Sequence, residues 1–149
     1  MKITDAMLKQ IYAHGKESYP SECFGFLVGL FAGGGSVRQV VPGTNLEAGR
    51  NDRFKMDDLE FIRVERQAEA AGYEVIGFYH SHPDWPAIPS QTDLLFAWEG
   101  SFYLIASIHE GQPMNSTVWQ IAADDPRRFV QSPLEIVDIR AWEGGDDND

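Results

Sequence analysis

The chain has 149 residues, one of them a cysteine, and is 43% hydrophobic, with nine Phe, five Tyr and four Trp. A chain of this length buries roughly 68–70% of its unfolded surface, so it folds as one domain without staples; Cys23 alone excludes a disulfide scaffold and points to a reducing cytosol. The net charge of −11, with no Lys/Arg cluster to offset it, disfavours nucleic acid, and neither a signal-peptide core nor the ~18 apolar residues of a membrane span is found.

Residues 4–18 read as a first helix, capped by Thr4 or Asp5, with Met7, Leu8, Ile11 and Tyr12 at helical spacing, and Pro20 ends it. Residues 23–31, CFGFLVGLF, form a short apolar core strand. Gly33-Gly34-Gly35 is a turn, and Val37–Val41 pairs back as the second arm of a hairpin. Residues 42–53 are loop-like, and Arg53-Phe54-Lys55-Met56 is a candidate short strand. Asp57 or Asp58 caps a second helix in which Leu59, Ile62, Val64 and Ala68 are expected on one face, with Gly72 as the stop.

Tyr73–Tyr79 is a buried strand by its β-branched and aromatic content. A Pro-rich loop from Pro83 to Pro89 follows, then a short helix over Thr92–Trp98 and a central strand over Phe102–Ile108. Asn115–Ile121 is its hairpin partner, and Leu134–Ile139 is one more strand-like piece. Residues 143–149 are an acidic, glycine-containing tail expected to fray, which leaves 1–142 as the domain. The order of elements implies an α/β fold, a single mixed β-sheet flanked by helices.

The chemistry is carried by Tyr79-His80-Ser81-His82-Pro83, at the end of the buried strand. Residues i and i+2 of a strand share a face, so His80 and His82 project together and are placed to share a metal ion. Catalytic zinc takes three protein ligands and keeps the fourth position for water. His14 and His109 lie in a helix and at a strand end; Asp93, in the first turn of the helix after the loop, is the better third donor. Each piece has a plainer account. HxH occurs by chance, and Ser90-x-x-Asp93 before Leu94-Leu95-Phe96 is also a helix capping box that needs no metal.

His80-Ser81-His82-Pro83, six residues, Ser90, two residues and Asp93 match without a gap the signature H-[ST]-H-P-x(6)-S-x-x-D, and the chain therefore resembles the JAMM (MPN+) metalloproteases. Residues 21–29 resemble the family's glutamate-bearing segment, and Asn51 to Met56 its region before the second helix; the resemblance spans at least residues 5–108. It implies a cytidine-deaminase-like arrangement with one zinc ion held by His80, His82 and Asp93. It also implies Glu22 as general acid/base and Ser90 as a hydroxyl that helps hold the water or oxyanion. Nothing in the physics of its segment singles out Glu22; a glutamate after Pro20-Ser21 otherwise reads as solvated. A deaminase is disfavoured, since its zinc site needs a P-C-x-x-C element and Cys23 is the lone cysteine.

The family hydrolyses peptide or isopeptide bonds after the C-terminal tail of ubiquitin-like β-grasp proteins. With 57 residues between Glu22 and His80 and 56 after Asp93, the chain resembles the small free-standing prokaryotic type. The resemblance implies a cytoplasmic zinc metallopeptidase or isopeptidase acting on a ubiquitin-like sulfur-carrier protein that ends in Gly-Gly. The rival accounts are a non-catalytic module that binds such tails and a structural zinc domain; the latter lacks a fourth ligand. Cys23 reads as a core residue. Trp85 either contacts substrate or closes over the loop, and Trp98 and Trp119 read as packing residues.

Overall fold

The computed structural model describes residues 1–49, 54–95 and 97–138. Its frame is one eight-stranded mixed sheet built from β1 (Lys2–Thr4), β2 (Phe24–Leu30), β3 (Ser36–Pro42), β4 (Glu74–Pro83), β5 (Phe102–His109), β6 (Gln112–Ala122), β7 (Asp125–Ser132) and β8 (Glu135–Val137). The strand order is β7-β6-β5-β4-β2-β3-β1-β8. β4 pairs parallel with β5, and β1 parallel with β3 and β8, while the remaining neighbours are antiparallel.

Helix α1 (Asp5–Ser18) begins where Thr4 Oγ1 accepts the Met7 N–H at 3.2 Å, which makes Thr4 the cap. Its Leu8 and Ile11 pack on one face of the sheet with Ile3, Leu27, Ile76, Tyr79 and Leu104. Helix α2 (Asp58–Ala70) is capped by Asp57, whose carboxylate accepts the Leu59 N–H at 3.0 Å, and covers the other face with Val64 and Ala68 against Phe24, Phe26, Phe78 and Tyr103. β2 and β4 therefore feed two cores, one under each helix, with a register shift at Leu27/Val28 between the two strands.

Two glycines permit close approach. A Cβ on Gly25 would lie 2.1 Å from the Tyr79 ring, and one on Gly77 2.1 Å from the Phe102 carbonyl oxygen. The turn is a short 3-10 segment over Ala32–Gly34 capped by Gly35, with φ of 65°, 84° and 92° at Gly33, Gly34 and Gly35.

Several expectations need correction. β4 does not end at Tyr79 but continues through His80–Pro83, because those residues stay in register with Ile105–Ile108 of β5. β1 and β7 were not anticipated; their short or charged segments carry no alternation on which to read them. The residues around Met56 form an isolated bridge, Asn45 to Met56, in place of a strand, and Arg53 lies outside the described residues. The helix expected over Thr92–Trp98 is α3 (Gln91–Leu95), with Phe96 outside the described residues. On α2, Leu59 is 78% and Ile62 42% exposed, so they do not share the buried face. The strand expected over Leu134–Ile139 is the shorter β8, and Ile139 and the tail 143–149 lie outside the described residues. No described helix is long and apolar enough to cross a membrane.

Candidate metal centre

The site forms where β4 passes the start of β2 and meets α3. Alternation along β4 sends His80 and His82 to the α2 face with Phe78, and both imidazoles are buried, at 1% and 0% exposure. Their Nε2 atoms are 3.1 Å apart. Asp93 Oδ1 lies 3.2 Å from His80 Nε2, and Asp93 Oδ2 3.1 Å from His82 Nε2. Three donors thus surround one point, and a tetrahedral shell with Zn–N bonds of 2.0–2.1 Å needs donors about 3.3 Å apart.

Asp93 is presented by the capping box that the sequence suggested. Ser90 N–H donates to Asp93 Oδ2 at 2.8 Å, and Asp93 N–H donates to Ser90 Oγ at 3.0 Å. The plain account and the functional one hold together, because the carboxylate that closes the box is also the one that faces the histidines. Ser90 thus lies beside the site and orients Asp93.

Glu22, the residue two before β2, is 2% exposed, and its Oε1 is 4.0 Å from His82 Nε2. Glu22, His80 and His82 all lie within 4.8 Å of one another. Asp93 approaches the His82 ring more closely than Glu22 does, and either carboxylate could be the third donor beside the two imidazoles. The backbone of this segment is tied down on both sides of Glu22. Asn45 Nδ2 donates to the Glu22 carbonyl at 2.8 Å, and Ser81 Oγ accepts the Cys23 N–H at 2.8 Å.

His82 is oriented from behind. Its Nδ1 is 2.8 Å from the Pro86 carbonyl, a contact that requires the proton on Nδ1 and leaves the Nε2 lone pair for a cation. The Trp85 ring stacks on the His82 ring, with centroids 3.6 Å apart and the two planes nearly parallel at 3°. The loop carrying both residues is pinned to β5 and β6: Ser107 Oγ donates to the Trp85 carbonyl at 2.8 Å, and Thr117 Oγ1 to the Ala87 carbonyl at 2.5 Å.

Charge at the site is organised by Asp93. Burial alone would raise its pKa, but His80 and the hydrogen bonds from both imidazoles and Ser90 hold it well below the usual carboxylate range. Burial opposes charging of His80, yet the Asp93 carboxylate prevails and raises its pKa. For His82 burial prevails and the pKa is lowered. The Asp93 carboxylate thus favours the charged form of His80, while burial favours the neutral form of His82. Burial pushes the Cys23 thiol up to about 12, which makes it a core residue and no nucleophile. His14 and His109 stand elsewhere: His14 Nδ1 meets the Tyr79 hydroxyl at 2.7 Å, and His109 ends β5.

A strand end that offers two imidazoles, a carboxylate and a second, recessed carboxylate defines a hydrolase of the metallopeptidase kind. The chain belongs to the prokaryotic homologues of the JAB domain, whose family model matches residues 4–122. It is 34% identical over 101 residues, covering 65% of this chain and 73% of the relative, to the desampylase of Haloferax volcanii. It is 31% identical over 133 residues, covering 89% and 80%, to the CysO-cysteine peptidase of Mycobacterium tuberculosis. A JAB1/MPN domain protein from Archaeoglobus fulgidus shares the fold with a TM-score of 0.57 at 22% identity, over 93% of this chain and 97% of that one. The expected JAMM/MPN fold and hydrolase class are therefore borne out.

The positioning residues around the site escaped sequence reading. Ser81 was within reach, since the alternation that pairs His80 with His82 turns it to the opposite face. Asn45, Pro86 and the stacking of Trp85 carry no local signal.

Proposed function

We propose that this chain is a cytosolic zinc-dependent metallopeptidase that cleaves the bond after the C-terminal tail of a ubiquitin-like sulfur-carrier protein. The observation that carries this reading is the convergence of His80, His82 and Asp93 at 3.1–3.2 Å, with the Glu22 carboxylate 4.0 Å from His82. The activities for which the desampylase and the CysO-cysteine peptidase are named support the substrate class.

His80, His82 and Asp93 would hold the ion, and when bound it supplies Lewis acidity and lowers the pKa of water toward neutrality. Glu22 accepts the proton of the attacking water at a carboxylate oxygen and passes it to the departing amine. The Ser90 hydroxyl, its oxygen already engaged by the Asp93 N–H, still has its own proton to donate toward a developing oxyanion. Pro86 and Trp85 keep the His82 ring in its tautomer and plane.

Elemental analysis after dialysis is expected to find about one zinc per wild-type chain and almost none in His82→Ala. Glu22→Gln is expected to keep the zinc yet lose at least about 100-fold in cleavage of carrier–amino-acid adducts, followed by mass spectrometry. Zinc-loaded wild type that leaves every adduct intact would overturn the peptidase reading and favour a module that binds such tails without turnover.

A further inference from the structure

The metal centre opens into a space that its chemistry does not use. On the α2 face, His80 and Asp93 border a cavity of about 500 Å3 that extends away from the donors. Among the described residues its walls are largely aromatic and aliphatic: Phe24, Phe54, Phe78, Trp98, Tyr103 and Ile105. Phe24, Phe78, Tyr103 and Ile105 are buried side chains of β2, β4 and β5 that point to this face, so the floor is rigid sheet. Phe54 stands against the His80 ring with centroids 4.9 Å apart, and Trp98 meets Phe78 edge-on at 5.4 Å. Lys55 and Asp58, both exposed, place charge at the mouth.

A cavity of this size is in the range that holds a whole small molecule, far more than an ion and its water need. Most of its exposed lining is apolar, with Glu47, Lys55, Asp58, Thr92, His80 and Asp93 as its polar side chains, so it suits a mainly apolar group. We propose that this cavity is a specificity subsite for a bulky apolar or aromatic side chain, carried by the substrate residue on the amine side of the cleaved bond. The inference rests on the carrier-tail function proposed above. A tail ending in glycines presents no side chain next to the cleaved bond, so the departing residue is the nearest one able to fill the space. The enzyme then distinguishes conjugates by the residue attached to the carrier as well as by the carrier.

The test uses the zinc-loaded full chain and carrier adducts that differ only in the attached residue: glycine, leucine, phenylalanine or tryptophan. The expected result is a KM at least about tenfold lower for phenylalanine than for glycine, with kcat changed only a few-fold. Trp98→Ala, at a position that is 44% exposed and so tolerant of truncation, is expected to shrink that ratio. Equal KM values across the series would overturn the subsite while leaving the peptidase reading intact. A preference that follows a bulky residue placed in the tail, and not the departing residue, would also overturn it. Should no adduct be cleaved, phenylalanine amide and glycine amide titrated into the Glu22→Gln protein decide the matter. Saturable binding of the former alone, with a fluorescence change lost in Trp98→Ala, upholds the cavity's chemistry, and no binding of either overturns it.

Discussion

Ser81 shows how a residue can serve the site by facing away from it. It is fully buried on the α1 side of β4, where its Oγ accepts the Cys23 N–H at 2.8 Å and its own N–H donates to the Cys23 carbonyl at 3.2 Å. The residue that follows Glu22 is thus bound twice to the strand that carries His80 and His82. Ser81→Ala leaves the Cys23 N–H buried without that acceptor, a loss of about 1–3 kcal/mol. Stability in urea is expected to fall by that amount and kcat to drop, while KM and zinc content stay near wild type. A folded, zinc-loaded Ser81→Ala with unchanged kcat would remove Ser81 from the positioning of Glu22. At this scale the candidate donors His80, His82 and Asp93 were legible as a group because period two and motif spacing are local properties. Glu22 was legible only through family resemblance, since the imidazole its carboxylate faces, His82, stands on β4, far away in sequence. The role of Asn45 was not legible: its bond from the Glu47 N–H is a local turn, but the folded chain is what joins it to the Glu22 carbonyl and the Lys55 N–H.

Among the elements, α1, the β2–β3 hairpin and the β5–β6 hairpin followed from apolar periodicity and turn chemistry, whereas α2 shows where periodicity misleads. Leu59 and Val64 are five residues apart, about 140° around a helix, so they cannot share a narrow face. Phe61, Val64 and Ala68 form the inward stripe, and Leu59 is left 78% exposed. Leu59→Gln is therefore expected to change stability by less than about 0.5 kcal/mol, whereas Val64→Ala, at 2% exposure, is expected to cost about 2 kcal/mol through lost burial and a cavity. Urea titrations of the two variants separate the faces, and a large loss in Leu59→Gln would contradict the packing of α2. β4 was shortened in sequence reading for a related reason. Two histidines and a serine look polar, but ladder bonds to β5 and a covered face hold them as strand. β7 escaped because Asp125, Arg127 and Arg128 interrupt any apolar alternation, and an outer strand requires none.

At the scale of the whole molecule, the metal centre is a concentration of buried ionisable groups: Glu22, His80, His82 and the largely buried Asp93. Groups of this kind are costly to remove from water, and their attraction for one another offsets the cost only in part. A divalent cation fits these groups by charge and by donor type, and one that binds the folded chain but not the unfolded one would stabilise the fold by mass action. At free zinc 100-fold above its Kd the gain is about 2.7 kcal/mol, and for a chain of this length each kcal/mol raises Tm by roughly 2–4 °C. Differential scanning calorimetry is therefore expected to show Tm rising by about 5–11 °C when zinc is added to chelator-treated protein, and falling back with a chelator. His82→Ala, which removes one donor, is expected to lose that shift while still folding, because the site relieves charge and the two cores under α1 and α2 carry the packing. Zinc that left the wild-type Tm unmoved would mean that the three donors do not bind it, and the proposed mechanism would lose its nucleophile.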